Sequence, residues 1–361
     1  MKPKPIIALT DFQVQMPALW MDQLSSLEYI GEVHAKTQTI TAEEIQPRLR
    51  RFGVKPAQIS KRYFENTVLA AEGDDILIRT RVFAERGREI VEAFYPTTVE
   101  GALLLPPPDH LIHVTCTGYV SPSPVQQVVT KQGWASETAV THAYHMGCYA
   151  SLPAVRIAEG LVAARNKHVD IIHTEMCALH MDRTDHSAEQ LVVQSLFADG
   201  HIKYSAKSLD AVTSGYQVLA IKELVIPDSQ KDMSWITASW GMKMTLSREV
   251  PAKIAVSLRK FVLDLCHEAE VDFVEILKSG VFAIHPGGPK IIDLVQENLE
   301  LSDEQVRGSR EVLFERGNMS SATLPHVWHK LLEQKIPSRK KVLSLAFGPG
   351  LTIFGALFEV I

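Results

Sequence analysis

Short apolar runs alternate with longer segments of helical periodicity throughout the sequence. Leu111–Cys116 (LIHVTC) and Val169–Thr174 (VDIIHT) are compact apolar runs typical of buried strands. Between them, Tyr149–Lys167 repeats apolar residues every three or four positions from Leu152 to Val162, which predicts a helix with one buried face. This order predicts a βαβ unit within a layered α/β fold.

A further strand candidate leads directly to a cysteine. Val140–His145 has a strand-like pattern and is followed at once by Met146-Gly147-Cys148. The predicted helix begins immediately afterwards, with Pro153 in its first turn, where a missing N–H is tolerated. Cys148 is therefore expected at the turn between a strand and a helix.

Capping and turn residues predict the other boundaries. Thr41-Ala-Glu-Glu44 is a capping box that opens a helix through about Arg51. Ser302-Asp-Glu-Gln305 opens another, which ends at Arg316 with Gly317 in the C′ position. The same reasoning predicts the helices Pro251–Cys266 and 290–298, and strands ending at His285, at Ala346 and at Ile361, with a tight turn at 347–350.

Composition and charge narrow the class of protein. The chain has 361 residues, of which 46% are apolar and 22% charged, and this excludes a disordered, collagen-like or coiled-coil chain. Its length predicts two domains or one large fused unit. The formal net charge is −5, so a nucleic-acid partner is not expected. The absence of repeats of 20–50 residues excludes solenoids and propellers.

The cysteines and the N-terminus predict the cellular compartment. Cys116, Cys148, Cys177 and Cys266 lie at wide, irregular spacings, unlike a secreted disulfide framework, and are expected to be free thiols. The apolar stretch Ile6–Leu9 is too short for the core of a signal peptide, and no window reaches the roughly 18 apolar residues of a membrane helix. The sequence therefore predicts a cytoplasmic protein without a membrane span.

Three residues at predicted turns carry the candidate chemistry. A thiol at Cys148 would face the unpaired N–H groups and the positive dipole end of the following helix, which favours thiolate. His285 stands between a strand end and a loop rich in Gly and Pro, and Asn318 follows a helix end. Singly, each residue is better explained by a structural role. Together they form a nucleophile, base and amide-donor set.

Two alternative sites are weaker. The segments H-x-x-H-x-x-C (142–148) and H-x-x-x-C-x-x-H (173–180) resemble metal-ligand spacings. However, His142 and His145 are three apart on a predicted strand and would point to opposite faces, and no C-x-x-C is present. No phosphate-binding glycine motif follows a strand, so neither a metal nor a nucleotide is predicted.

Four ordered motifs resemble those of the type III polyketide synthases, the chalcone-synthase-like enzymes of the thiolase superfamily. They are HMGCYASLPAVRIAEG around Cys148, FAIHPGGPKIID around His285, ERGNMSSA around Asn318, and FGPGLT at Phe347–Thr352. Intervals of 137 residues from Cys148 to His285 and 33 from His285 to Asn318 are close to the family's spacings. SLFADG (195–200) and the segment 233–251 also align. The resemblance runs from about Ile59 to the C-terminus.

The resemblance implies both fold and mechanism. A thiolase-like α/β fold has two similar βαβαβαββ halves in five layers (α/β/α/β/α), here expected at 1–205 and 206–361, and forms a homodimer. Cys148 would be the acyl-accepting nucleophile, held as a thiolate by His285. His285 and Asn318 would bind the thioester carbonyl of an extender unit and stabilise the enolate that decarboxylation forms. The enolate would attack the Cys148 thioester in a Claisen condensation without a metal or redox cofactor.

The resemblance also assigns residues around this centre. Phe197 matches a gatekeeper between a tunnel and a cavity. Met244 stands where many relatives carry a second phenylalanine, and a thioether there would admit long or flexible chains. Glu175 matches a cavity glutamate. His180 replaces a small residue, where it would narrow the cavity and move protons near pH 7, or simply pack. The remaining assignments are Thr117, Ser121, Ser320, Gly348 and Pro349 for the cavity wall and its surroundings, and Lys61 and Arg62 for the phosphates of coenzyme A or a carrier.

Two kinds of polyketide-forming enzyme fit the sequence. CTGYVSPSP (116–124) and the HMGCYAS context look bacterial and are consistent with enzymes that join two β-ketoacyl chains, delivered on acyl carrier proteins, into α-pyrones. Malonyl-extending alkylpyrone or alkylresorcinol synthases fit equally well. The alternatives are a fatty-acid-type β-ketoacyl-carrier-protein synthase, a non-catalytic partner subunit of thiolase fold, and a Cys-His thioester hydrolase. FGPGLT and HPGGP favour the polyketide enzymes, and the filled catalytic positions argue against an inactive subunit.

Overall fold

The computed structural model describes residues 6–65, 75–96, 106–165 and 168–361. Within these ranges lie thirteen strands and eleven α-helices. The strands are β1 (Ile7–Gln15), β2 (Leu19–Asp22), β3 (Lys61–Phe64), β4 (His110–Thr115), β5 (Ala139–Tyr144), β6 (Val169–Met176), β7 (Asp199–Ser208), β8 (Tyr216–Val225), β9 (Met233–Thr237), β10 (Met242–Leu246), β11 (Val281–Ile284), β12 (Lys341–Gly348) and β13 (Thr352–Val360). The helices are α1 (Gln23–Ala35), α2 (Ala42–Phe52), α3 (Ile76–Ala93), α4 (Pro124–Lys131), α5 (Ser151–Arg165), α6 (Ala188–Leu196), α7 (Val250–Glu268), α8 (Phe273–Ser279), α9 (Pro289–Leu299), α10 (Asp303–Arg316) and α11 (Thr323–Glu333).

The capping signals in the sequence set helix boundaries as predicted. The capping box at Thr41 opens α2, and the one at Ser302 opens α10. Gly317 ends α10 with a φ of 73°. The predicted helix after Cys148 begins two residues later than expected, since the Ala150 N–H closes a turn on the Gly147 carbonyl at 3.1 Å. Its last two predicted positions, 166 and 167, lie outside the described residues.

Nine strands form one mixed sheet whose order repeats. The order is β11-β12-β13-β8-β1-β7-β6-β4-β5. Read outward from the β1–β8 junction, β8-β13-β12-β11 and β1-β7-β6-β4 have the same arrangement, with the last pair parallel and the others antiparallel. The chain therefore contains two similar halves. The expected boundary at 205/206 falls inside β7, so the connection 209–215 separates the halves.

The main hydrophobic core lies between the halves. It contains residues of α5 from the first half and of α11 from the second, together with the inner faces of both sets of strands. Trp328 on α11 is fully buried, its ring packs edge-on against Tyr204 and Phe358, and its Nε1–H donates to Ser344 at 2.7 Å. None of the helices in the described ranges combines the length and apolar character that crossing a bilayer requires.

The first prediction tests this shared core. Trp328→Ala removes the largest fully buried side chain and leaves the Ser344 hydroxyl without its donor, so we expect a loss of about 3–5 kcal/mol in the free energy of unfolding. Trp20→Ala is the matched control, because Trp20 is 60% exposed. Urea denaturation measures both, and equal losses in the two variants would contradict the role of Trp328.

Candidate active site

Three cysteines meet at one edge of the sheet. Cys116 follows β4, Cys148 lies in the turn after β5, and Cys177 follows β6. These strands are parallel, so their carboxyl ends share an edge. All three thiols border one small chamber, with an empty volume of about 330 Å³ including its opening. The chamber is lined by Cys116, Thr117, Gly147, Cys148, Cys177, Phe197, Trp235, Met244, Ser320 and Pro349.

The turn that carries Cys148 depends on a glycine. Gly147 has a φ of 86°, and its N–H donates to the sulfur of Cys116 at 3.1 Å. A Cβ at position 147 would lie 2.5 Å from the Cδ of Pro349. The close approach of these two backbone segments therefore requires glycine here, and it fixes the nucleophile candidate against the 347–350 turn.

Asn318 approaches Cys148 from the other half of the molecule. Its backbone N–H donates to the Leu196 carbonyl at 3.0 Å, and its carbonyl accepts from Ala198 at 2.8 Å, so it pairs with Phe197 as a short parallel bridge. The side-chain oxygen of Asn318 accepts from the Ser320 N–H at 2.9 Å. That bond fixes the amide, whose hydrogen bond to Cys148 favours the thiolate.

Cys148 is a neutral thiol in this site. Burial raises its pKa to about 12, and it outweighs the hydrogen bonds from Ser320 and Asn318, which lower the pKa. The sulfur is 4.0 Å from the Ser320 hydroxyl oxygen. Burial therefore opposes the stabilisation of the thiolate that is predicted from the helix dipole, and Cys148 precedes α5 by three residues.

The His285 ring makes no hydrogen bond to Cys148 in this structure, so its expected role of holding Cys148 as a thiolate stays a prediction. Both ring nitrogens of His285 are buried and have no hydrogen-bond partner among the described residues. Burial lowers the pKa of the ring to about 3, so it is neutral. Its backbone N–H donates to Leu345 at 2.7 Å, which continues the parallel β11–β12 pair and sets His285 at the same sheet edge as Pro349. A buried imidazole with two unpartnered nitrogens is available to hydrogen-bond a ligand.

Glu175 lies behind the chamber and not on its wall, which corrects the expected cavity position. Its carboxylate is fully buried and accepts hydrogen bonds from the Cys116 N–H at 3.1 Å, the Thr117 hydroxyl at 2.9 Å and the hydroxyl of Ser321. Glu175 therefore ties the end of β4 to the segment after Asn318. Burial raises its pKa to about 7, although these hydrogen bonds lower it.

His180 borders the neighbouring cavities as expected, but it is not a proton carrier near pH 7. Its Nε2 is 2.8 Å from the Thr117 carbonyl, and its Nδ1 accepts from the Met242 N–H at 3.1 Å. These two bonds require the neutral tautomer with the proton on Nε2. Burial also lowers the pKa of the ring to about 4. His180 is therefore a structural link between two loops.

The other predicted positions divide into lining and supporting residues. The chamber lining includes Phe197, Met244, Thr117, Ser320 and Pro349. Ser121 is exposed and lies outside the described cavity linings, and Gly348 packs behind the chamber against Tyr149.

The two basic positions differ sharply. Lys61 is at the surface, with its ammonium 5.7 Å from the centre of the Trp20 ring. Arg62 is buried, and its guanidinium donates to the carbonyls of Gln194 and Phe197 at 2.7 and 2.6 Å. Arg62 is therefore not available to a coenzyme phosphate, and its assignment as a phosphate ligand is wrong.

Several lining residues were not singled out from the sequence as site residues. Cys116, Cys177, Gly147 and Trp235 all border the chamber. The signal for the cysteines was present, because each follows a predicted strand of the same βαβ region. The histidines of the alternative metal motifs bond other protein atoms, as His142 does to Ser123 at 2.9 Å, and no group of three metal-ligating side chains gathers among the described residues.

Comparison with known proteins agrees with this geometry. Residues 217–361 match the family model "Chalcone and stilbene synthases, C-terminal domain". Probable polyketide synthase 1 of Dictyostelium discoideum is 29% identical over 69% of the chain, and the match spans 8% of that protein. The 1,3,6,8-tetrahydroxynaphthalene synthase of Streptomyces griseus is 27% identical over 68% of the chain and 64% of its own length. The crystal structure of PKS-I from the brown alga Ectocarpus siliculosus superposes with a TM-score of 0.85 at 20% identity, over the full length of both chains.

The class follows from these findings. The chain has the α/β thiolase-like fold of the type III polyketide synthases, as the sequence predicted. Its C-terminal segment matches the chalcone and stilbene synthase C-terminal domain, and the chain is similar in sequence to type III polyketide synthases.

The second prediction concerns the state of the Cys148 thiol. Because its pKa is about 12, alkylation by iodoacetamide should accelerate about tenfold per pH unit from pH 7 to 9 without a plateau. Intact-protein mass spectrometry measures the rate, and Cys148→Ser reports the reaction at other cysteines. A rate that is already constant at pH 7 would show a preformed thiolate and contradict this assignment.

The third prediction concerns Glu175. Its pKa is raised from 4.5 to about 7, so between these values the folded state keeps a proton that the unfolded state has released. Stability should therefore fall as pH rises through this window, by up to about 3 kcal/mol. Glu175→Gln should reduce this decline to the part that Asp199 contributes, because burial raises the pKa of Asp199 to about 7 as well, whereas Glu85→Gln, at an exposed site on α3, should retain it in full. Urea unfolding at pH 5, 6, 7 and 8 measures the slopes, and parallel profiles for all three proteins would contradict the shifted pKa.

Proposed function

We propose that the protein is a condensing acyltransferase that loads acyl thioesters on Cys148 and forms a carbon–carbon bond by Claisen condensation. The observation that carries this proposal is a buried thiol at Cys148 that borders a chamber and is hydrogen-bonded by the Asn318 amide. The buried imidazole of His285, whose ring nitrogens have no partner among the described residues, supplies a further hydrogen-bonding group. The polyketide synthase names of the homologous proteins support it.

Acyl transfer to Cys148 is the first step. The sulfur attacks the thioester carbonyl, a new carbon–sulfur bond forms, and the bond to the carrier sulfur breaks. Because burial favours the protonated thiol, its proton must leave as the bond forms, and it ends on the departing carrier thiolate. The neutral His285 ring has an unprotonated nitrogen that can accept this proton on the way.

Enolate formation is the second step. The carboxylate of a malonyl-type extender leaves as carbon dioxide, and its bonding electrons become the enolate of the thioester. His285 and Asn318 donate hydrogen bonds to that enolate oxygen. The enolate carbon then attacks the acyl group on Cys148, the carbon–sulfur bond breaks, and the released Cys148 thiolate takes up a proton from water. A neutral imidazole suits the role of His285, because it donates one hydrogen bond to the enolate oxygen without protonating the enolate.

The products we propose are alkyl α-pyrones or alkylresorcinols. Met244 supports this assignment, because a flexible thioether stands between the chamber and a larger neighbouring cavity. Joining of two carrier-bound β-ketoacyl chains would give the same class of ring. We further propose a homodimer and acyl thioesters of coenzyme A or acyl carrier protein as substrates, as the resemblance implies.

The fourth prediction tests loading and condensation separately. Intact-protein mass spectrometry after incubation with a panel of acyl thioesters, on coenzyme A and on acyl carrier protein, should show an acyl adduct that is lost in Cys148→Ala. Release of carbon dioxide from a malonyl thioester should fall about 10²–10³-fold in Asn318→Ala, because one oxyanion donor is removed. His285→Ala should impair the same step.

The outcomes distinguish the competing functions. Adducts formed only from carrier-bound β-ketoacyl chains would select chain joining over malonyl extension. Release of free acid without a carbon–carbon bond would identify a thioester hydrolase. Absence of any adduct would overturn the acyl-enzyme mechanism and favour an inactive partner subunit. Ser121→Ala is the control, since Ser121 lies outside the described cavity linings and should leave loading unchanged.

A further inference from the structure

A second and larger cavity adjoins the chamber that holds Cys148. Its empty volume is about 1140 Å³ including its opening, against about 330 Å³ for the chamber. Cys177, Phe197, Trp235 and Met244 border both spaces. The larger space therefore begins where the chamber ends, and we call it the α1 cavity after the helix that forms one of its walls.

One face of α1 runs along this cavity. Ser26, Tyr29, Ile30 and Val33 line it together with Lys36, which caps the helix. The spacing of three and four residues places them on a single face. At 1.5 Å per residue, the stretch from 26 to 36 covers about 15 Å. The α1 cavity is therefore elongated, and its long direction follows the helix.

One end of the α1 wall lies near the chamber, and the other lies near solvent. The Ser26 hydroxyl accepts a hydrogen bond from Arg62, whose guanidinium also donates to the Phe197 carbonyl at 2.6 Å. The Ser26 end thus lies at the boundary with the chamber. Lys36, at the other end, is exposed to solvent and has no carboxylate partner among the described residues. The cavity therefore leads from the chamber toward solvent.

The wall between these ends is suited to hydrocarbon. Ile30 and Val33 are 4% and 7% exposed. The polar side chains of the opposite wall are already bonded to protein, because Gln190 donates to the Met244 carbonyl at 2.7 Å and Gln194 to the Asp182 carbonyl at 2.6 Å. No Asp or Glu is among the described lining residues. An acyl chain without polar groups could therefore lie in the cavity while the hydrogen bonds of Gln190 and Gln194 stay intact.

We propose that the α1 cavity holds the distal part of a long unbranched acyl chain bound to Cys148, and that Val33 and Ile30 determine its selectivity for chain length. This proposal rests on the proposed function. The chain would pass between Phe197 and Met244 and follow α1 toward Lys36. Since three backbone bonds span up to about 3.6 Å in an extended chain, each bond advances about 1.2 Å, and the stretch of 15 Å accommodates about twelve bonds.

The fifth prediction follows from this length. Each methylene that enters the cavity should raise kcat/KM for loading by up to about fourfold, until the chain end reaches solvent near Lys36 and the gain stops. A series of straight-chain acyl thioesters, from acetyl to those longer than the cavity, measures this dependence. A flat dependence on chain length in the natural protein would overturn the proposal.

Substitutions on two faces of one helix provide the sharper test. Val33→Trp fills the cavity, so several methylenes of a long chain can no longer be buried there, and loading of long chains should fall at least 100-fold. Loading of acetyl and butyryl thioesters, which do not reach the cavity, should change less than threefold. Leu24→Trp is the matched control, because Leu24 lies on the same helix, is 59% exposed and does not line the cavity. It should behave as the natural protein does.

The outcomes also separate this proposal from the proposed function. If Val33→Trp reduces loading of all chain lengths equally while its melting temperature matches that of Leu24→Trp, the α1 cavity is the entry route of the carrier and the proposal fails. If long-chain loading is unchanged, the chain lies elsewhere. Should Val33→Trp not fold, Ile30→Met and Val33→Met narrow the cavity more gently and must shift the preference toward shorter chains. A natural protein that loads no thioester of any length would instead overturn the proposed function.

Discussion

The backbone pairing between Phe197 and Asn318 is the constraint on which the site depends. Two hydrogen bonds, from Asn318 to Leu196 and from Ala198 to Asn318, join a segment of the first half to a segment of the second. They bring the Asn318 amide to Cys148 and set the Phe197 ring between the chamber and the α1 cavity. One short bridge thereby fixes both the reacting centre and the boundary of the space beyond it.

Burial governs the electrostatics around this bridge. Arg62 lies beneath it with its charge enclosed by backbone carbonyls, and burial lowers its pKa to about 9. The same enclosure raises the pKa of Cys148 and Glu175 and lowers that of His285. All three groups are thereby shifted toward their neutral forms. In such a site the negative charge develops on the substrate. Hydrogen-bond donors that the fold has already positioned then stabilise this charge without reorganisation of water.

Local sequence patterns predicted much of the fold, but they could not predict contacts across the chain. Capping boxes and the glycine after α10 placed helix ends correctly, because these signals act within a few residues. The adjacent helix could not by itself predict the state of Cys148, because the pKa of this thiol also depends on enclosure by distant segments. Arg62 was misassigned, since the partners of its guanidinium lie 36 or more residues away in the chain. Motif order alone identified Cys148 and Asn318, whereas it gave no distance between them.

Because the strand order repeats, the candidate site is assembled from residues of both halves of the chain. Cys148 belongs to one half, whereas His285 and Asn318 belong to the other, so the candidate catalytic residues come from both sides of an internal seam. The packing of α11 between the halves sets the spacing across that seam. Residues deep in the core can therefore be under selection for the accuracy of the site as well as for stability, and a conservative core substitution remote from any substrate could alter the rate of reaction while the protein remains folded.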